Sequence, residues 1–257
     1  MKKKAKKKVN RKQLLLEQTK RLALAASYSL LTLLLAISIA WVVLAKQNFL
    51  FGLWHDHGGI AEGINTYGPE NRYKTGFGET SRAERLRLFA AINTAVHRGG
   101  AGLEQITYQS PALAEPQRLL REPEVVHLQD VANLIDKLVI LAMMALVLWL
   151  GVCAYQMLVC QSIPKASQQL IGLGIWLLPV FVGLAIIGPV SVFNTLHEWV
   201  FPDGHQWFFY YQDSLMSTLM LAPRLFGWIA AAIGILALAV YALLQLLLSL
   251  LLRLVRR

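Results

Sequence analysis

Four stretches of the chain, residues 22–45, 138–160, 170–190 and 225–252, contain no Asp, Glu, Lys or Arg. Each is close to the ~20 residues that a helix needs to cross a hydrocarbon core. With their flanking turns they predict membrane spans at about 22–45, 134–160, 168–190 and 223–252. The first is too long for a signal peptide and lacks a small-residue cleavage site, so it reads as a retained helix. The connections alternate between long and short, with outer segments at 46–133 and 191–222 and a brief inner turn around Lys165.

The first outer segment has local patterns of its own. "GINTYGPENRYKTGFG" (63–78) is rich in Gly, Asn and Pro and reads as loop. "SRAERLRLFAAINTAVHRG" (81–99) opens on a serine cap and spaces its apolar residues for a helix. From Glu122 the pattern runs into the second span without a breaker, which puts His127 about two turns above the hydrocarbon. The expected fold is therefore an all-α integral membrane protein. It comprises a basic tail at 1–21 and one membrane domain at 22–257, a four-helix bundle whose segment between spans one and two is mostly helical.

Composition agrees with this and excludes an ordinary soluble domain, since 56% of the 257 residues are hydrophobic. The net charge of +10 would suggest nucleic acid if it were spread over one face. It is not spread that way. Ten of the 25 basic residues precede the first span, Lys165 lies in the inner turn, and Arg253, Arg256 and Arg257 follow the last span. The positive-inside rule then places both termini in the cytoplasm. Fourteen of the 15 acids fall on the opposite side. The expected partners are the bilayer, with anionic lipid at the lysine-rich tail, and no nucleic acid.

Chemistry concentrates where the helices leave the membrane on that acidic side. In "EPEVVHLQDV" (122–131), Glu124 and His127 share a helix face, and Asp130 follows His127 by three residues. The spacing suits a reactive histidine oriented by Asp130 or Glu124, and suits equally an interfacial polar turn. The second outer segment brings His197 and Glu198 to the end of span three. There follow a Pro202–Gly204 turn and the run Trp207–Tyr211, which reads as an interfacial aromatic belt. Asp213 then leads a helix into span four. Topology thus brings His127 and His197 to one leaflet from two helices, where ionisable groups are costly unless they function. A shared site requires the imidazoles to lie roughly 4–8 Å apart. His97 and His205 read as surface or belt residues. Cys153 lies 26 residues beyond His127, about 39 Å along a helix, too deep to join it.

These elements resemble the lipoprotein intramolecular transacylase family. "EVVHLQDV" is similar to its E-x-x-H-M-x-D-V element, and "LHEWVFPDGHQWFFYYQDSLMSTLMLAPRLF" to its later F-H-x-x-F-F, W, D-S-L and P-x-x-F-F elements. The departures are Leu196 and Leu128, which stand for phenylalanine and methionine, and a long basic tail. The resemblance implies a bacterial inner-membrane enzyme with its active site at the outer leaflet and no cofactor. It would move an O-linked acyl chain of a diacylglyceryl-modified lipoprotein to the N-terminal cysteine amine. His127 and His197 would be catalytic and no metal would be bound. Glu124, Asp130, Trp207, Asp213 and Pro223 match characteristic positions, and Glu198 joins the candidate orienting or binding groups. Two other readings stay open at this level: a metal-dependent membrane hydrolase using His55 and His57 of "LWHDHGG", and a non-enzymatic membrane partner protein.

Overall fold

The computed structural model describes residues 11–255. Residues 1–10, with six of the tail's lysines, lie outside the described residues, as does the expected contact with anionic lipid there, whereas 11–21 open the first helix. Four helices are long and apolar enough to cross a membrane: α1 (Arg11–Lys46), α5 (Glu122–Leu158), α6 (Ala166–Ile187) and α9 (Arg224–Val255). Between them lie α2 (Phe51–His57), α3 (Ile60–Tyr67), α4 (Arg82–Val96), α7 (Pro189–Val200) and α8 (Leu215–Met220). A small antiparallel ribbon pairs β1 (Thr107–Tyr108) with β2 (Gln117–Arg118), an addition to the all-helical expectation.

The spans centre on α1, which packs against α5, α6 and α9. Small residues on one α1 face, among them Ala25, Ser29, Ala36 and Ala40, are buried there. Between apolar helices in lipid, close backbone approach and interhelical hydrogen bonds replace the hydrophobic drive. Both occur. A Cβ on Gly172 of α6 would fall 2.7 Å from Ser29 Oγ, so only glycine allows α6 this close to α1. Trp149 Nε1 donates to Thr32 Oγ1 at 3.0 Å, and the Tyr28 hydroxyl donates to Gln245 Oε1 at 2.7 Å. Most of α6 and the middle of α5 face outward, as lipid-facing surface must. The protein is a multi-pass membrane protein.

At one end of the bundle the long outer segment builds a second core. Phe51, Ile60, Ile64, Phe77, Leu88, Ile92, Tyr108 and Leu119 bury against Leu128 and Ala132 on the upper turns of α5 and against Leu215 and Leu219 of α8. Ser81 caps α4 by accepting from the Glu84 N–H at 3.2 Å, as its sequence predicts. α5 is a single helix from Glu122, also as expected.

Three expectations change. Gly63–Tyr67, read as loop, forms most of α3, because Ile60 and Ile64 supply a one-turn apolar pair for this core. Asp213 does not lead continuously into the last span. It sits in a 3-10 turn before α8, a six-residue helix buried along its whole length. The chain then breaks at Leu221 (φ 42°) and restarts as α9. Span three also ends earlier than sequence suggests: Gly188 (φ 86°) and Pro189 separate α6 from α7, so His197 rides on its own short helix.

Candidate active site

His127 stands on the outer turns of α5 and His197 near the end of α7, with ring centroids 6.4 Å apart and planes 30° apart. Seventy residues separate them in sequence, and the turn at Gly188–Pro189 is what swings α7 back toward α5. Aromatic rings surround the pair. Phe201 lies 4.9 Å from His127 and 5.2 Å from His197, Phe209 lies 6.0 Å from His127, and Trp207 lies 5.1 Å from His197. Phe193, one turn below His197, stacks on it at 3.9 Å and approaches Phe226 of α9 at 6.3 Å. The two imidazoles thus face each other inside an apolar cup at the membrane end of the outer domain.

Their hydrogen bonds differ. His197 Nδ1 lies 2.7 Å from the Phe193 carbonyl oxygen. A carbonyl only accepts, so Nδ1 carries the proton and Nε2 presents a lone pair. Burial holds His197 below the usual histidine range, against the opposing pull of that carbonyl. The His127 ring is 9% exposed and has no hydrogen-bond partner among the described residues, leaving it free for a ligand.

The acids expected around His127 do other work. Asp130 Oδ2 accepts from His205 Nδ1 at 2.6 Å, so it fastens the 201–210 loop to α5 rather than orienting His127. Glu124 is fully buried and accepts from Ser214 Oγ at 2.6 Å, from the Met216 N–H at 3.2 Å and from the Arg121 N–H at 2.7 Å. It ties the start of α5 to α8. Asp213 faces Arg72, with Oδ1 3.3 Å from Nη1, and points toward the loop before α4. Glu198 is exposed, one residue round the helix from His197. Of the candidate orienting residues, Trp207 is the one that packs its ring against His197.

Trp207–Tyr211 is not a belt. Trp207 and Phe209 line the cup, Tyr211 stacks on Tyr67 at 4.5 Å, and only Phe208 and Tyr210 are exposed. His97 is not a plain surface residue either. Trp41 Nε1 donates to its Nε2 at 3.0 Å, so its Nδ1–H donates to the Asn93 carbonyl at 2.8 Å. His55 Nδ1 pairs with Asp56 at 2.8 Å, and Asp56 is gripped by two nitrogens of Arg82. Among the described residues no three potential ligands converge as a metal group, so the "LWHDHGG" donors supply no zinc set.

The chain matches the family model of the lipoprotein intramolecular transacylase Lit over residues 104–223. That segment contains both histidines and the whole 201–210 loop. Over that segment, a little under half of its length, the chain is similar to the lipoprotein intramolecular transacylase Lit. Two solved structures of Lit from Bacillus cereus share its fold. Each carries a substitution at one histidine, to arginine in the first and to alanine in the second. The first is 17% identical with a TM-score of 0.62, covering 96% of this chain and 98% of that one. The second is 16% identical with a TM-score of 0.63, covering 95% and 98%. No curated protein sequence matches the chain.

The Asp130–His205 contact makes the loop latch testable. Asp130→Asn and His205→Ala are each expected to lower activity by about tenfold, the range of a lost supporting contact. The double variant should match either single one, because both remove one bond. Initial rates of the three purified variants give the answer, and additive losses would separate the two residues.

Proposed function

We propose that the protein moves an acyl chain within a diacylglyceryl-modified lipoprotein, from the middle glycerol oxygen to the N-terminal cysteine amine. The observation that supports this most is the facing pair of histidines in an apolar cup, inside the segment that matches the family model. The reaction needs one proton carried from nitrogen to oxygen and a transient oxyanion stabilised between those steps. His197 is suited to the first task, because its Nε2 lone pair is exposed by the Nδ1–H bond to Phe193. It takes the amine proton as nitrogen attacks the ester carbonyl, and returns that proton to the departing glycerol oxygen. The imidazolium formed in between keeps its bond to the Phe193 carbonyl. His127, with no protein partner, donates N–H to the oxyanion. Both reacting groups belong to one substrate, so much of the remaining catalysis is orientation. The aromatic cup and the lipid-facing helices beneath it suit two acyl chains.

The products are an amide and an alcohol in one molecule, so lipoprotein mass does not change. Tandem mass spectrometry of the N-terminal lipopeptide, from cells with and without the protein, is therefore the test. An amide-linked acyl chain on the cysteine only in the producing cells supports the proposal. An unacylated amine in both overturns it.

The low affinity of His197 for protons has a sign. A base works only when neutral, so activity rises with pH through its pKa and burial moves that rise to lower pH. The acid limb of the pH–rate profile is expected to fall below ~6.5, the ordinary histidine value. A midpoint above that value would remove His197 from the role of base.

The charge asymmetry supports a bacterial inner-membrane location with both termini in the cytoplasm and the histidines at the outer leaflet. Topology reporters fused at Gly78 and at Lys165 are expected to report opposite sides. Matching signals would overturn the arrangement.

A further inference from the structure

A second cavity lies across α9 from the histidines. Its volume is about 550 Å³, and it is lined by Gly59, Glu62, Gly63, Thr66, Tyr67, Tyr211, Leu221, Pro223 and Arg224. The two faces of α9 are distinct. Phe226 points toward Phe193 and the cup, whereas Arg224 and, one turn on, Trp228 point toward α2 and α3. Trp228 stacks on Trp54 at 5.3 Å with planes 8° apart. Tryptophans concentrate at the boundary between head groups and hydrocarbon. Arg224 lies four residues nearer the helix start, about 6 Å further out, which is the depth of lipid phosphates.

The backbone leaves room for the guanidinium there. Gly59 has φ 82°, and a Cβ on it would come within 2.8 Å of Arg224 Nη1. Across the cavity stands Glu62, exposed on the first turn of α3. Neither Arg224 nor Glu62 forms an ion pair among the described residues. The stacked rings of Tyr67 and Tyr211 form the wall between them. Tyr211 is fixed by its hydroxyl, which donates to the Ala222 carbonyl at 2.6 Å. An unpaired guanidinium, a carboxylate and aromatic faces that line one cavity together complement a dipolar molecule.

We infer that this cavity holds the head group of a zwitterionic phospholipid with a primary ammonium. Arg224 takes the phosphate, and Glu62 with the tyrosine faces takes the ammonium. The acyl chains run down past the Trp54–Trp228 pair along α9. The lipoprotein substrate proposed above carries no phosphate, so this ligand is a second lipid and its binding does not rest on the transacylase reading.

The test is native mass spectrometry of the purified full-length protein in detergent. Phosphatidylethanolamine, phosphatidylcholine and phosphatidylglycerol are offered at equal concentration. The wild-type protein is expected to retain phosphatidylethanolamine above the other two. Arg224→Gln should weaken that adduct about tenfold, the equivalent of one charge-assisted contact. Glu62→Gln should keep a lipid adduct but lose the preference for the ammonium head group. Because Glu62 is exposed, that variant carries the test even if Arg224→Gln does not fold. Equal retention of all three lipids by the wild type overturns the inference, as does a preference unchanged in Glu62→Gln. Competition by soluble phosphoethanolamine at equal affinity would remove the membrane lipid as the source. Displacement of the lipid by a lipoprotein peptide would reassign the cavity to substrate. None of these readouts involves acyl transfer, so their failure and that of the proposed function are separable.

Discussion

Replacing His197 by alanine is expected to reduce N-acylation by at least ~10²-fold, the scale of a lost general base. The protein should still fold and insert. α7 has no fully buried residue, and among the described residues the His197 ring hydrogen-bonds only to Phe193 of its own helix. His127→Ala should fall comparably in rate, since both groups act on one transition state. For the same reason the double variant should be little worse than either single one. Localising the acyl chain by tandem mass spectrometry, with protein level checked by immunoblot, measures all three. A fully active, well-expressed His197→Ala protein would end the two-histidine mechanism. Cys153 is no substitute, because it packs with Tyr28, Trp149 and Leu248 deep among the spans.

Glu124→Ala is expected to give the largest loss of stability, roughly 3 kcal/mol by analogy with breaking one side of a buried polar pair. Its carboxylate accepts from three donors on two elements. Without it, the Ser214 hydroxyl and the Met216 and Arg121 N–H groups are left in a site that water does not reach. Glu124→Gln should cost less than Glu124→Ala, yet more than a surface change. One amide oxygen can replace Oε1, but the amide N–H₂ then meets the Arg121 N–H donor. Thermal unfolding of purified protein should show Glu124→Ala lower by about 6–12 °C. The histidine variants should stay within a degree or two of wild type. A near-neutral Glu124→Ala would mean that α8 is held by its apolar side chains alone.

The difference between those two variants shows what the sequence could convey. Absence of charge over a span's length is a local property, so the four spans were legible and their order placed His127 and His197 at one end. Partners were another matter. Asp130 stands three residues from His127, and helix geometry made that pairing plausible. The group it binds, His205, is 75 residues away on a loop whose path no periodicity records. Glu124 was noticed for its place on the histidine's face, but its partners come from a buried helix whose sequence, "LMSTLM", resembles the start of a span. The aromatic run misled in the same way. Composition marks rings as fit for an interface, whereas only the chain's turn after Phe201 decides that Trp207 and Phe209 face inward. Phe193 carried no signal beyond being apolar, and its role follows from the break at Gly188.

That break also sets how a bulky, two-tailed substrate reaches a place closed above by the outer domain. One wall of the cup, α5, is fixed by Glu124, Leu128 and Ala132 in the outer core. The opposite wall, α7, hangs from a glycine with positive φ and has no fully buried residue. Moving it outward separates ring contacts but, among the described residues, breaks no side-chain hydrogen bond between helices, so opening costs less than disrupting the bundle. A lipidated protein, the substrate proposed above, would then enter sideways from the bilayer without its chains leaving oil for water. On that view the price of access is paid in the floor plan, by a wall that was never tied down.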